Sequence, residues 1–136
     1  MAQKVKNWQR VKALTKAEND KVVAACDQLI QVILKPRYLP VVQVTSFNYP
    51  VDIVGKMRGN KYSFSTRYRS GFPENAGEEF NVPFARLDHI ENILDDMKFN
   101  LMWHRHTGQW FLRHASVNFE EALHLMENDG LLHPVM

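Results

Sequence analysis

Two histidines separated by one residue, His104 and His106, are the side chains that most resemble part of a metal site. On a β-strand both would project from one face and could offer two imidazoles to one ion. A catalytic zinc site needs a third protein ligand, and the sequence places neither His89 nor His114 to supply it. The pair is therefore a weak metal candidate, an exposed polar sheet face is the favoured interpretation, and we expect no cofactor.

The other reactive side chains do not indicate covalent catalysis. The single cysteine, Cys26, lies on an apolar stripe of helical spacing, which favours a buried, small hydrophobic side chain. The acid pairs Asp95-Asp96 and Glu120-Glu121 are adjacent in sequence, and adjacent residues do not face each other on a regular element. We identify no catalytic residue, so whether the protein is an enzyme stays open, with a non-enzymatic role favoured.

Positive charge is the clearest chemical signal in the chain. Residues 1–73 hold 13 Lys/Arg and four Asp/Glu, net +9, whereas residues 74–136 hold four Lys/Arg and 11 Asp/Glu, net −7. This asymmetry is typical of proteins that contact polyanions or that self-associate, although the charges could also cancel on one folded surface. The predicted phosphate contacts are Lys56, Arg58, Lys61, Arg67 and Arg69, with Lys4, Lys6, Arg10 and Lys12 as an arm.

These residues predict a small cytoplasmic binding protein that contacts nucleic acid electrostatically. The alternative is a protein–protein interaction or regulatory module, or a homo-oligomer, that uses the aromatic hairpin from Trp103 to Trp110 and the apolar tail 131–136. A metal-dependent enzyme is the third hypothesis. The sequence has no run of 18 apolar residues and no signal-peptide pattern from Met1 to Leu14, so we expect no membrane partner.

A long amphipathic helix is predicted over residues 16–34. Thr15 and Glu18 have the spacing of a capping box, and an apolar stripe with helical period follows them. Because the residue before a proline avoids the helical conformation, Lys35-Pro36 predicts an end near Leu34. A short strand is predicted over residues 41–45.

A β-hairpin is predicted around Gly59-Asn60, a favoured two-residue turn. Counting back from the turn pairs Arg58 with Lys61, Met57 with Tyr62, Gly55 with Phe64, Ile53 with Thr66, and Val51 with Tyr68. The apolar side chains then share one face, and we expect Phe64 to cover the bare backbone of Gly55.

The second half predicts a long loop, further strands and a last helix. The loop is assigned to residues 71–83, and residues 87–97 are left as strand or helix, with a strand ending near Ile90 preferred. Thr107-Gly108 suggests a second tight hairpin that pairs Arg105 with Trp110, Trp103 with Leu112 and Leu101 with His114. Trp103, Arg105 and Trp110 then share the core face, which places Arg105 beside both tryptophans. Asn118 can cap the final helix, and the tail is expected to dock.

The predicted fold is α+β: an antiparallel sheet of about five strands built from hairpins, with a long N-terminal helix and a short C-terminal helix. The 136 residues correspond to one domain, here residues 15–136, preceded by a flexible basic arm over residues 1–14.

Three stretches resemble an uncharacterised family of small bacterial proteins, a domain of unknown function. They are Phe84-Ala85-Arg86-Leu87, the hairpin Met102-Trp103-His104-Arg105-His106-Thr107-Gly108-Gln109-Trp110, and the helix start Asn118-Phe119-Glu120-Glu121-Ala122. The resemblance covers roughly residues 83–134 and leaves the basic arm outside. It implies a bacterial or phage cytosolic protein and implies no reaction.

Overall fold

The computed structural model describes residues 13–135, so the predicted arm contacts Lys4, Lys6, Arg10 and Lys12 lie outside the described part. Within it the predicted α+β fold is confirmed: a long helix α1 (residues 16–38), a five-stranded sheet and a short helix α2 (Phe119–Asn128). The strands are β1 (Asn48–Arg58), β2 (Lys61–Ser70), β3 (Glu79–Ile93), β4 (Asp96–His104) and β5 (Trp110–Asn118). They form an antiparallel meander in which each strand pairs with the next.

Helix α1 begins as predicted but ends later. Thr15 and Glu18 form the capping box, each side chain accepting from the other residue's amide. The predicted end near Leu34 is wrong, because a π-helical turn, Ile30–Leu34, leads into a last turn, Lys35–Tyr38. The amide of Lys35 donates to the carbonyl of Ile30, five residues back. This wider turn accommodates Pro36, which lacks an N–H and needs space for its ring.

The predicted register of the first hairpin is confirmed from the turn as far as the Ile53–Thr66 pair. Beyond it a β-bulge pairs Tyr68 with Pro50 instead of the predicted Val51. The predicted strand over residues 41–45 is also wrong: this segment is irregular, and β1 starts at Asn48. The ring of Tyr62, rather than that of Phe64, fills the space above Gly55.

Strand β3 is longer than predicted at both ends. It takes over the last five residues of the predicted 71–83 loop, and it continues past Ile90 to Ile93, so the helical alternative is wrong. A two-residue turn at Leu94-Asp95, with φ of 51° and 63°, connects it to β4. Both values lie in the left-handed region that hairpin turns of type I′ require, although neither residue is glycine.

The predicted register of the second hairpin is wrong near its turn. The loop contains five residues, 105–109, because the Arg105 amide donates to the carbonyl of Gln109. His104 therefore pairs with Trp110 and Trp103 with Phe111, and an irregularity after Leu101 restores the predicted Leu101–His114 pair. Since cross-strand partners share a face, Trp110 lies on the opposite face from Trp103.

One face of the sheet is covered by both helices and forms the core. Alternate strand residues on this face are fully buried, with Tyr62, Phe64, Leu87 and Leu101 at 0–1% exposure. The stripe of α1 packs on them, and the side chain of Asn118 caps α2 as predicted. The C-terminal tail docks as expected, since residues 132–134 are buried.

Candidate functional site

The other face of the sheet carries a row of side chains that crosses all five strands. Lys56 pairs with Ser63, Ser63 with Arg86, Arg86 with Met102, and Met102 with Leu112. Each of these residues is half-buried or exposed, and in the middle of the row Ser63 and Arg86 each lie between two buried residues of their strand. Within the described residues, this face therefore lies open to solvent while the helices cover the other.

A groove of about 380 Å³ runs across this open face over β1, β2 and β3. Lys56, Arg58 and Lys61 border it, together with Arg86 of β3 and Trp110 of β5. Arg58 and Lys61 are direct cross-strand partners, and Lys56 lies two residues before Arg58 on the same strand. We call this arrangement the basic groove.

Contacts with Asp88 and His104 position the wall formed by Arg86 and Trp110. The guanidinium carbon of Arg86 lies 4.4 Å from the indole centroid of Trp110, a cation–π contact. The same guanidinium donates to both carboxylate oxygens of Asp88, at 2.6 and 2.9 Å. The ring of His104 packs edge-on against Trp110, with centroids 4.8 Å apart.

Sequence reasoning missed both residues of this wall. The signal for Arg86 is its place between Ala85 and Leu87, which are both buried on the opposite face of the same strand. Trp110 lies on the open face rather than on the predicted core face, so the predicted contact between Arg105 and Trp110 is wrong. Arg105 instead lies 5.5 Å from the ring centroid of Trp103, as predicted, and 5.2 Å from that of Phe111.

The predicted phosphate contacts of the hairpin differ in their surroundings. Lys56, Arg58 and Lys61 take part in none of the ion pairs formed between residues 13 and 135. Arg67 lies further along β2, where its Nε donates to the Asn81 side chain at 3.2 Å.

Arg69 is the member of this set that is engaged with an acid. Its guanidinium donates twice to one carboxylate oxygen of Glu79, at 2.9 and 2.7 Å. These hydrogen bonds raise the pKa of Arg69 above its usual value. The structure thus gathers three of the five predicted hairpin contacts around the basic groove and leaves Arg67 and Arg69 outside it.

The two metal candidates do not share a strand. His104 is the last residue of β4, and His106 lies in the five-residue loop, so the predicted strand pair is wrong. Across residues 13–135, no group of three or more His, Cys, Asp or Glu side chains is placed to hold a metal ion.

Cys26 is fully buried in the core, as its position on the apolar stripe predicts. Its burial raises the pKa of the thiol far above the usual range, and the neighbouring Asp27 adds to this shift. Because the thiolate is the reactive form, the Cys26 side chain is poorly suited to act as a nucleophile.

No helix in the described part of the chain is long and apolar enough to cross a membrane.

Comparison with known proteins identifies a family but no characterised relative. A family model described as a domain of unknown function, DUF3024, matches residues 13–134. No curated protein and no solved structure matches the chain. The matched region includes α1 and the first hairpin as well as the second half, so every residue of the basic groove lies within it.

Proposed function

The chain belongs to the DUF3024 family, and we propose that it is a cytoplasmic binding protein that holds single-stranded nucleic acid on the open face of its sheet. The observation that carries this proposal is the basic groove. Three cations that form no ion pair among the described residues border a groove whose far wall is a tryptophan in contact with an arginine. This combination supplies both phosphate contacts and an aromatic surface.

The spacing of the cations suits a phosphate backbone. Residues two apart on a strand are separated by about 6.6 Å, and neighbouring strands lie about 4.8 Å apart. Lys56, Arg58 and Lys61 therefore form a compact triangle that can contact successive phosphates of one chain. None of the three forms an ion pair with a described carboxylate; Asp88 lies opposite Lys61 on β3, but its two oxygens accept from Arg86. Their charge can therefore replace condensed counterions.

The open sheet face favours a single strand over a duplex. Duplex readers insert a protruding helix or ribbon into a groove of the nucleic acid, whereas this site is itself a shallow groove on a sheet. A single strand exposes base faces that can contact Trp110 while its phosphates meet the cations. The basic segment with Lys4, Lys6, Arg10 and Lys12 would add further phosphate contacts.

Fluorescence anisotropy with a labelled single strand, at salt concentrations from about 50 to 200 mM, tests the proposal. For three phosphate contacts we expect a slope of log Kobs against log salt of about −2, and about −5 if four arm contacts contribute. Replacing the four arm residues by glutamine should return the slope to about −2. A slope near zero, or no binding at low salt, would contradict the proposal.

A matched pair of variants locates the surface. Arg58→Gln should weaken binding about threefold to tenfold, because it removes a charge that is free to contact phosphate. Arg69→Gln is the control, since Glu79 already occupies that guanidinium. Equal losses for the two variants would show that binding follows overall charge rather than the basic groove.

A second candidate function, protein–protein interaction or homo-oligomer formation, is favoured by the exposed apolar side chains of β5. Phe111 and Leu112 are 37% and 55% exposed on this edge strand. Most of the tail is buried within the chain, so of the two predicted partner surfaces the aromatic hairpin with β5 is the more accessible. Sedimentation would favour this alternative if the protein associates without nucleic acid and the Leu112→Lys variant does not.

A further inference from the structure

A second cavity lies on the helix-covered side of the sheet, at the end that the helices do not reach. It has a volume of about 500 Å³, and its walls are mainly apolar, with Phe84, Trp103 and Val135 among them. Arg105 and His106 from the five-residue loop also line it. Its volume is in the range of pockets that hold small organic ligands.

Arg105 differs from the other arginines of the second half of the chain. Arg86 donates to Asp88 and Arg113 to Asp129, so each of these guanidinium groups has a carboxylate partner. Arg105 has none among residues 13–135, and its Nε is buried without a hydrogen-bond partner there. The rings of Trp103 and Phe111 hold the guanidinium in place instead.

We propose that this cavity binds a small monocarboxylate with an apolar body, whose carboxylate contacts Arg105. A guanidinium matches a carboxylate with two parallel hydrogen bonds, and it is positioned here by aromatic contacts that leave donors unused. The walls formed by Phe84 and Trp103 suit an aromatic or branched aliphatic body. Arg105 does not line the basic groove, and Lys56, Arg58 and Lys61 do not line this cavity, so this inference does not depend on nucleic-acid binding.

The cavity lining contains one arginine, and this explains why we choose a ligand class with a single negative charge. Apart from Arg105, the charged or titratable side chains that line the cavity are His104 and His106. A dicarboxylate or a phosphate would bring a second negative charge against largely apolar walls, where an unpaired charge is costly. A monocarboxylate pairs its one charge with Arg105 and buries the rest of its surface.

Titration of the isotope-labelled full chain with two acids and their amides, followed by NMR of the indole N–H groups, tests this site. The probes are 4-methylpentanoate and 3-phenylpropanoate, with 4-methylpentanamide and 3-phenylpropanamide as uncharged controls. We expect the acids to shift the Trp103 resonance more than that of Trp110, which lies on the other face and contacts the cavity only through the His104 ring. The amides should bind at least about tenfold more weakly, because they lack the charge-assisted hydrogen bonds.

Two variants separate this site from the basic groove. Arg105→Met should weaken acid binding by about tenfold or more, with Arg105→Lys intermediate because it keeps the charge and loses the fork. Arg58→Met is the matched control, with unchanged acid binding, and Arg105→Met should in turn leave nucleic-acid binding unchanged. The proposal is overturned if no acid shifts Trp103 at about 10 mM, if acids and amides bind equally, or if Arg105→Met has no effect.

Discussion

The two faces of the sheet use neighbouring residues for opposite purposes. On the covered face, Phe64 and Leu87 are completely buried beneath the helices. On the open face, the positions next to them carry Ser63 and Arg86, which border the basic groove. Because strand side chains alternate in direction, a shift of one residue exchanges a core position for a surface position. The comparison predicts that stability and binding depend on different residues of the same strands.

The largest expected effect tests the covered face. Phe64→Ala should reduce the free energy of unfolding by about 3–5 kcal/mol, because it removes a fully buried ring from the core. Ser63→Ala, the adjacent residue on the open face, should change it by less than about 0.5 kcal/mol. Urea unfolding of both variants measures the difference. Similar losses would show that the open face is part of a second packed layer.

An effect of intermediate size is expected at the cluster of Asp129, Arg113 and His114, which stabilises the fold. Asp129 accepts from Arg113 at 2.7 Å and from His114 at 2.6 Å, and its side chain is 11% exposed. Burial alone raises the pKa of Asp129, but the hydrogen bonds from Arg113, His114 and the Leu131 amide outweigh it and lower the pKa to about 2. This carboxylate therefore links the start of the tail to β5.

Acid should weaken this link in a defined pH range. Since the folded-state pKa lies below the ordinary value, the stabilisation is complete above about pH 5 and is lost as the pH falls towards 2. Asp129→Asn should lower the free energy of unfolding at pH 7 by about 1–2 kcal/mol and flatten its decline in acid. Unfolding measured at several pH values checks this, and an unchanged acid limb in Asp129→Asn would refute the assignment.

The smallest effect on stability is expected at the basic groove. Lys56→Gln should change the free energy of unfolding by less than about 0.5 kcal/mol, because Lys56 is exposed and forms no ion pair with the described residues. It should reduce the salt slope of nucleic-acid binding by about 0.7. Calorimetry measures the change in stability, and fluorescence anisotropy on the same sample measures the change in salt slope. A stability loss above 1 kcal/mol would place Lys56 in the fold rather than at a binding surface.

The two outer hairpins show how far local sequence predicts register. Gly59-Asn60 places a glycine where the turn requires positive φ, observed at 59°, so the strands pair directly from the turn. At Thr107-Gly108 only the glycine adopts positive φ, 84°. A β-branched threonine resists that conformation, so a two-residue turn does not form and the loop widens to five residues.

The five-residue loop changes which residues form the candidate site. The predicted register placed Trp110 in the core, whereas the observed register puts it on the open face beside Arg86. Lys56, Arg58 and Lys61 could be grouped from the sequence because they flank one turn. Arg86 and Trp110 could not, since they reach the groove only when β3 and β5 align with the first hairpin.

Local sequence patterns were enough to predict the α+β class, the capped start of α1, the first hairpin and the split of its residues between two faces. These features depend on neighbours within a few residues, where hydrogen-bonding partners and periodicity are local. Long-range contacts set the continuation of α1 through Pro36, the positions of the bulges, and the pairing of Arg86 with Trp110. Each of these requires residues that are distant in sequence to pack together, and the energy of that packing outweighs local preference.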